Sequence, residues 1–115
     1  MKRLLRAVVN SWNGLLFATK SEAAFREEIA LLLVAIPAAF FITSEFWKRV
    51  LLIGVVFFAL IVELLNTAIE KLADQVTLDH DPKIGRVKDM GSAAVGLALL
   101  AILFMWLLVL SEHFI

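Results

Sequence analysis

The chain has 115 residues, equal numbers of acidic and basic side chains, and no cysteine. Its length predicts a single domain, its zero net charge does not indicate a nucleic-acid partner, and the lack of cysteine excludes disulfides and thiol chemistry. Hydrophobic residues make up 62% of the sequence, which is more than a soluble domain of this size can bury, so we expect a membrane protein.

The N-terminal segment has the pattern of an amphipathic helix. Apolar residues recur at helical spacing between positions 4 and 16, and basic or amide residues occupy several of the positions between them. We therefore expect a helix over about residues 1–25 that lies on the membrane surface, with an ordinary half-buried helix as the alternative. Asn10 and Asn13 interrupt the apolar run that a signal peptide requires, so we expect this segment to be retained.

Three apolar segments follow, and each is a candidate transmembrane helix. The first reads IALLLVAIPAAFFI and reaches the length of a span, about 28–47, only together with its flanking residues. The second contains VLLIGVVFFALIV and is predicted over about 49–70. The third, GSAAVGLALLAILFMWLLVL, carries no charge and is predicted over about 90–111. The predicted fold is an all-α membrane protein with a surface helix and three transmembrane helices.

The polar connections predict the orientation of these spans. The longest, QVTLDHDPKIGRVK at about residues 75–88, contains Pro82 as a helix breaker and is expected to be a loop. Residues 1–28 hold five Lys and Arg and the 71–89 region holds four, whereas the 43–49 turn holds two. The positive-inside rule therefore predicts that the N-terminus and the long loop are cytoplasmic and that the C-terminus is outside.

Ionisable groups gather where the second apolar segment ends. The stretch ELLNTAIEKLAD has four polar positions that fall within roughly 80° of one another on a helix, namely Glu63, Asn66, Glu70 and Asp74. An ionisable group within a membrane segment is by default a candidate for function. Glu63 has no basic residue three or four positions away that could neutralise it. Charges at span ends are also common anchors, the reading preferred for Glu27, Asp79, Asp81 and Lys83.

The chemistry of these groups suits phosphoryl transfer. Two carboxylates on different helices, such as Glu22 and Glu70, can hold Mg²⁺ while the ion keeps water and phosphate ligands. Lys88 can neutralise a phosphate, and its expected position at a helix N-terminus would add backbone donors. Glu63, the deepest carboxylate, can accept a proton from a lipid hydroxyl. The residues alone indicate a membrane enzyme or an ion-handling protein with a site on the cytoplasmic face.

Three blocks of the sequence resemble the bacterial integral-membrane diacylglycerol kinases. ELLNTAIEKLAD resembles their signature E-x-[L/I]-N-[S/T]-[A/S]-I-E-x-x-x-D, SEAAFREE resembles the segment before their first span, and GRVKDMGSAAV resembles the segment that opens their third. The resemblance implies a homotrimer in the bacterial inner membrane, with active sites shared between neighbouring protomers. It implies transfer of the ATP γ-phosphoryl group to diacylglycerol, giving phosphatidic acid, with Mg²⁺ as the cofactor.

The resemblance also implies roles for individual residues. Glu63 is the expected general base, and Glu22 and Glu70 are the expected magnesium ligands. The other positions expected to contact the nucleotide are Arg3, Asn10, Asn66, Asp74, Asp79, His80, Asp81, Lys88 and Asp89. Besides Glu63, the positions expected to contact the lipid or line its pocket are Glu28, Arg49, Ser92 and Trp106.

Other functions remain as alternatives. The nearest is an undecaprenol kinase of the same family, although the SEAAFREE and GRVKDMGSAAV blocks favour diacylglycerol. A small oligomeric cation transporter with Glu63 as its coupling carboxylate belongs to another class, and a non-catalytic membrane scaffold is a third possibility. The apolar run of residues 50–62 offers no second polar group along a transport path, which argues against the transporter.

Overall fold

The computed structural model describes the backbone of residues 1–114 and the side chains of residues 1–112. Over these residues the fold is all-α, as predicted, and consists of four helices: α1 Lys2–Ser21, α2 Ala23–Ile42, α3 Phe46–Val76 and α4 Pro82–Phe114. Helix α3 packs against both α2 and α4, and α1 contacts α2. Because α3 also carries the polar stripe, the packing of its two neighbours determines what surrounds that stripe.

Two helices, α3 and α4, are long and apolar enough to cross a membrane. At a rise of 1.5 Å per residue, the 31 residues of α3 extend for about 46 Å, so α3 can cross a hydrocarbon core of ~30 Å and still project into water. Apolar side chains of α4 face outward, with Leu100 60% and Phe104 65% exposed. This exposure is typical of a helix that faces lipid and not of the core of a soluble protein.

Helix α2 is not a candidate membrane span by length and composition, because it carries too many charged residues. Every 18-residue stretch of this helix includes the charges of Arg26, Glu27 and Glu28, which lie in its first two turns. It also ends at Ile42, so the predicted span of about 28–47 is too long at its C-terminal end. A third crossing of the membrane by α2 therefore stays a prediction.

Two arginines cap the helices beside the predicted boundaries. Arg49 Nε donates to the carbonyl of Thr43 at 2.8 Å, and its guanidinium lies 4.2 Å from the centre of the Phe40 ring. These contacts cap the end of α2 from the first residues of α3. Arg26 donates to the carbonyls of Thr19 and Lys20. Helix α1 ends at Ser21 and not near residue 25, and Arg26 supplies hydrogen bonds to carbonyls that the helix end leaves without partners.

The connection between α3 and α4 is much shorter than the predicted loop of 75–88. Only residues 77–81 lie outside helices, because α4 begins at Pro82. Asp81 Oδ1 accepts hydrogen bonds from the backbone N–H groups of the second and third helical residues, at 2.8 and 3.3 Å. Proline at the first helical position costs no hydrogen bond, since that N–H has no partner within a helix. The prediction that Pro82 breaks helical structure was wrong.

At the end of α3 remote from the polar stripe, α2, α3 and α4 meet in a small apolar core. Ala39, Leu52 and Val109 are buried there, and the half-buried Trp106 packs against them. Trp106 Nε1 donates to the carbonyl of Leu52 at 3.1 Å. This bond gives the indole N–H a partner within an apolar environment. Within one protomer, Trp106 therefore contributes to the contact between α3 and α4.

Replacing Trp106 with Phe tests this contact. We expect the free energy of unfolding in detergent micelles to fall by about 1 kcal/mol, because the indole hydrogen bond is lost. Trp47→Phe is the matched control, since Trp47 is 72% exposed and its variant should change stability by less than about 0.5 kcal/mol. Equal losses from the two variants would contradict a specific role for the Trp106 bond.

Candidate active site

The polar stripe of α3 runs from a buried end to an exposed end. Glu63 is 8% exposed and Asn66 6% exposed, whereas Glu70 and Asp74, one and two turns further on, are exposed. At the buried end Glu28 of α2 interacts with Glu63, and Gly91 of α4 lies against Asn66; at the exposed end α4 continues beside α3, with Lys88 next to Asp74. Two polar side chains are therefore withdrawn from solvent at the end of an apolar segment, where desolvation makes their interactions strong.

Carboxylates from the start of α2 lie next to the buried glutamate. Glu63 is near enough to Glu22 and Glu70 for their charges to repel, and Glu28 interacts with Glu63 in the same way. Glu28 Oε2 is buried and has no hydrogen-bond partner among the described residues. Four carboxylates that are up to 48 positions apart in sequence therefore converge on one region. The structure brings together the predicted general base, both predicted magnesium ligands and one predicted lipid residue.

Within the stripe, Asn66 links the buried and exposed parts. Its Nδ2 donates to Glu70 Oε1 at 3.1 Å, one turn along the helix. Its Oδ1 is buried and has no hydrogen-bond partner among the described residues. The backbone of α4 approaches this amide at Gly91, which is buried.

Two lysines neutralise part of this negative charge. Lys71 Nζ lies 3.4 Å from Glu22 Oε2, and it also lies 5.2 Å from the centre of the Phe17 ring. Lys88 Nζ lies 2.6 Å from Asp74 Oδ1, so it joins α4 to the exposed end of the stripe. Neither lysine pairs with Glu63, and no salt bridge to Glu63 occurs among the described residues.

Lys71 is not among the site residues predicted from the sequence. It is the only basic residue between Val50 and Val76, and this isolation at the polar end of α3 was the available signal. Its neighbour Glu70 was predicted as a site residue because it continues the stripe. Lys71 lies about 100° away, on a different face of the helix. Only the packing of α1 and α2 shows that this face meets Glu22.

The position of Lys88 differs from the expectation. Because α4 begins at Pro82, Lys88 is the seventh residue of the helix and not part of its N-terminal turn. Its backbone N–H lies within the helix and is not free to bind an anion. The side-chain charge of Lys88 is still beside the stripe, but the predicted contribution of helix N-terminal donors at this residue was wrong.

The other predicted nucleotide residues are exposed and dispersed. Arg3 and Asn10 lie on α1, Asp79 and His80 lie in the connection between α3 and α4, and Asp89 follows Lys88 on α4. The carboxylate of Asp81 is occupied in capping α4. The structure does not bring these residues together in one protomer.

Two predicted lipid residues lie far from Glu63. Arg49 precedes Glu63 by fourteen positions, or about 21 Å along α3, and Trp106 contacts Leu52 about 16 Å away. Arg49 lines an apolar cavity of about 540 Å³ between α2 and α3, together with Leu32, Ile36, Phe40 and other apolar residues. Ser92 is exposed on α4, one position after Gly91.

A second cavity, of about 450 Å³, lies between α1 and α3. It is lined by Ser11 and Phe17 of α1 and by Thr67 and Lys71 of α3, together with apolar residues. This cavity lies beside the buried part of the stripe, whereas the larger one lies towards the other end of α3.

Metal coordination by this chain would depend on few ligands. No group of three or more His, Cys, Asp or Glu side chains within the described residues has the arrangement of a metal site. Glu22 and Glu70 are nonetheless both close to Glu63, and Lys71 neutralises only one of these three carboxylates. Such a set fits Mg²⁺, which takes one or two carboxylates from a protein and fills its other positions with water and phosphate oxygens.

Comparison with known proteins identifies the family. The family model of prokaryotic diacylglycerol kinase matches residues 9–110, which includes all of α2 and α3 and most of α4. The chain belongs to the prokaryotic diacylglycerol kinase family. The recognition of this family from the three sequence blocks is therefore confirmed.

Curated relatives of this prokaryotic diacylglycerol kinase cover almost the whole chain. It is 46% identical over 110 residues to "Diacylglycerol kinase" of Pseudomonas aeruginosa, covering 96% of this chain and 89% of that protein. It is 41% identical over 112 residues to "Diacylglycerol kinase" of Escherichia coli strain K12, covering 97% and 92%. It is 35% identical over 106 residues to "Diacylglycerol kinase" of Haemophilus influenzae, covering 92% and 90%.

The cap of α4 gives a test that separates stability from nucleotide contact. Asp81→Ala should lower the free energy of unfolding by about 1 kcal/mol, and Asp81→Asn should leave it nearly unchanged, because an amide oxygen also caps a helix. Thermal unfolding in micelles and the KM for ATP are measured for both variants. The control Glu27→Ala removes an exposed carboxylate that has no proposed contact with nucleotide or lipid. If Asp81→Asn raises the KM for ATP while stability is unchanged, the carboxylate has a nucleotide role beyond capping.

Proposed function

We propose that this diacylglycerol kinase transfers the γ-phosphoryl group of ATP directly to the hydroxyl of diacylglycerol at the cytoplasmic face of the membrane, giving phosphatidic acid. The observation that carries the proposal is the environment of Glu63. This carboxylate is 8% exposed, follows thirteen apolar residues, and lies near three other carboxylates. A group held there meets a lipid hydroxyl from the membrane and a nucleotide from the cytoplasm.

Glu63 is the general base of this mechanism. As the deepest carboxylate of the stripe, it can reach the alcohol of a lipid whose acyl chains stay in the hydrocarbon region. It accepts the proton of that hydroxyl as the oxygen attacks the γ-phosphorus, the bond between this phosphorus and the β,γ-bridging oxygen breaks, and ADP leaves. Burial supports this role because water is excluded from the carboxylate, and water would otherwise compete as the nucleophile.

Glu22 and Glu70 are the carboxylates that would hold the metal ion that accompanies ATP. The two carboxylates come from the α1–α2 junction and from α3, and both lie near Glu63. Mg²⁺ held there would neutralise the phosphate oxygens. Lys71 pairs with Glu22 in the protomer and so already balances part of the charge of this carboxylate.

The nucleotide is bound at the exposed end of the stripe. Lys88 is the best phosphate ligand there, because it lies on α4 facing Asp74 and its ammonium can move from this carboxylate to a triphosphate. Asn66 and Asp89 are the polar neighbours of the same region. Arg3, Asn10, Asp79, His80 and Asp81 are proposed as more distant contacts to the nucleotide.

The lipid lies along α3. The cavity between α1 and α3 is beside the buried stripe and suits the glycerol end, whereas the larger apolar cavity between α2 and α3 suits an acyl chain. Glu28 and Ser92 are proposed to contact the lipid near its hydroxyl. Arg49 and Trp106 are proposed to line the remote part of the pocket.

Oligomerisation is part of the proposal. In a single protomer Glu70, Asp89 and Ser92 are exposed although they border an apolar helix surface. Polar groups at membrane depth face the interior of a bundle. A homotrimer would supply the missing walls and would bring the dispersed nucleotide residues of one protomer towards the stripe of its neighbour.

The proposed topology has three crossings in the bacterial inner membrane. The N-terminus and the 77–81 connection are cytoplasmic, and the C-terminus is outside, in agreement with the distribution of Lys and Arg. Helix α2 makes the third crossing. Its apolar part, residues 29–42, covers about 21 Å, so its two ends must lie in the interfacial regions.

Glu63→Gln tests the general base. We expect kcat to fall by about 10²–10⁴-fold while the oligomer and helix content are retained, because the amide cannot accept the hydroxyl proton. The kcat is measured as the transfer of radiolabelled phosphate from ATP to diacylglycerol in mixed micelles. Undecaprenol is assayed as a second acceptor. Glu27→Gln is the matched control, since Glu27 is exposed on α2 and its variant should keep full activity. Near-normal turnover by Glu63→Gln would disprove the assignment.

Glu70→Gln tests the metal site. The variant keeps a side-chain oxygen but loses the charge, so the Mg²⁺ concentration for half-maximal activity should rise at least tenfold, or turnover should be abolished. Helix content by circular dichroism should not change. An Mg²⁺ titration of Glu70→Gln that overlays that of Glu27→Gln would exclude Glu70 as a ligand.

A further inference from the structure

The contact between α3 and α4 at the polar stripe depends on a residue without a side chain. Gly91 is buried, and a methyl group added to its Cα would fall on Asn66 Oδ1, well inside van der Waals contact. The same methyl would lie 3.3 Å from Asn66 Cγ and 3.9 Å from Ile69 Cγ2. The obstacle at Gly91 is therefore the amide of Asn66 and not general crowding. At Gly96, on the same helix, an added methyl would meet nothing within 4 Å.

We infer that Gly91 is a positioning residue for the active site: it admits the Asn66 amide against the backbone of α4 and so holds it in the orientation in which Asn66 donates to Glu70. The Cα–H bond of Gly91 that replaces a side chain points at Asn66 Oδ1, which is otherwise without a partner. Cα–H groups facing carbonyl oxygens are a recurring feature of close helix pairs. Glycine at this position thus provides both the space and a weak donor.

The orientation of Asn66 matters because the two ends of its amide are not equivalent. Glu70 is an acceptor when ionised, so only the NH₂ group of Asn66 can bond to it. Rotating the amide to escape a methyl at Gly91 would break the bond of 3.1 Å or turn Oδ1 towards the carboxylate. Glu70 would then lose the neighbour that orients it. The inference rests on the proposed role of Glu70 as a magnesium ligand and adds a residue on a different helix that controls this role.

Gly91→Ala is the direct test, with Gly96→Ala as the matched control. We expect Gly91→Ala to lower kcat at least tenfold with the KM for diacylglycerol within twofold, because the lipid is not displaced. Gly96→Ala should stay within twofold in both constants. Binding of Mn²⁺ to the purified trimer without nucleotide, followed by electron paramagnetic resonance, should weaken at least fivefold in Gly91→Ala alone. Wild-type values for Gly91→Ala in both measurements would overturn the inference.

A double-mutant cycle shows whether Gly91 acts through Asn66. Asn66→Ala should itself reduce activity, and adding Gly91→Ala to it should change kcat by less than twofold, since the obstructing amide is gone. Independent, multiplying losses would overturn the inference. If Gly91→Ala alone fails to fold, Asn66→Ala should restore a folded protein in the double variant, and failure to do so would also overturn it. Full activity of Asn66→Ala would also overturn the inference, because the orientation of Glu70 by Asn66 would then have no effect. An unchanged Mg²⁺ titration of Glu70→Gln would instead contradict the proposed role of Glu70, which separates the two failures.

Discussion

The arrangement of this kinase depends on keeping Glu63 away from bulk water at the end of an apolar helix segment. A carboxylate in such a place is costly, and the cost grows when other carboxylates lie near it. Glu22, Glu28 and Glu70 do so here, and no basic side chain of the described residues pairs with Glu63. The protein therefore gathers several carboxylates in one place, where a divalent cation would reduce their mutual repulsion.

Small residues allow the helices to approach closely enough to enclose the cluster. Ala59 and Ala73 of α3 and Ala98 of α4 are buried, and Gly91 lets the backbone of α4 touch Asn66. In lipid, apolar side chains gain little from leaving one apolar environment for another, so close packing and polar contacts hold the helices together. The Trp106 hydrogen bond at one end of α3 and the Lys88–Asp74 pair at the other fit this principle.

The junction of α1 and α2 connects α1 to the candidate site. Arg26 caps the end of α1, Glu22 forms the extended residue between the helices, and Lys71 joins this glutamate to α3. The exposed apolar residues of α1, among them Leu4, Val8 and Trp12, have no partner in the protomer, as expected for a helix that lies on lipid. A movement of α1 would therefore change the position of Glu22 and its distance from Glu63.

Much of this protein could be predicted from sequence because its strongest signals are local. Apolar runs, helical spacing and the ELLNTAIEKLAD block determined the all-α class, the polar stripe of α3 and the family. Even Glu63 could be selected, since an unpaired carboxylate next to thirteen apolar residues is conspicuous without coordinates. Helix ends were less predictable. Asp81 turns Pro82 from a helix breaker into a helix start, and Arg49 ends α2 early, because caps depend on where a side chain finds free backbone groups.

Only the tertiary structure decided which distant groups meet. The convergence of Glu22 and Glu28 on Glu63, the pairing of Lys71 with Glu22, and the contact of Gly91 with Asn66 all join residues on different helices. Sequence periodicity determines which face of a helix is polar, but it does not determine the rotation or the height at which two helices pack. Those depend on the shapes of all the side chains between them, and they decide which carboxylates lie close enough to interact.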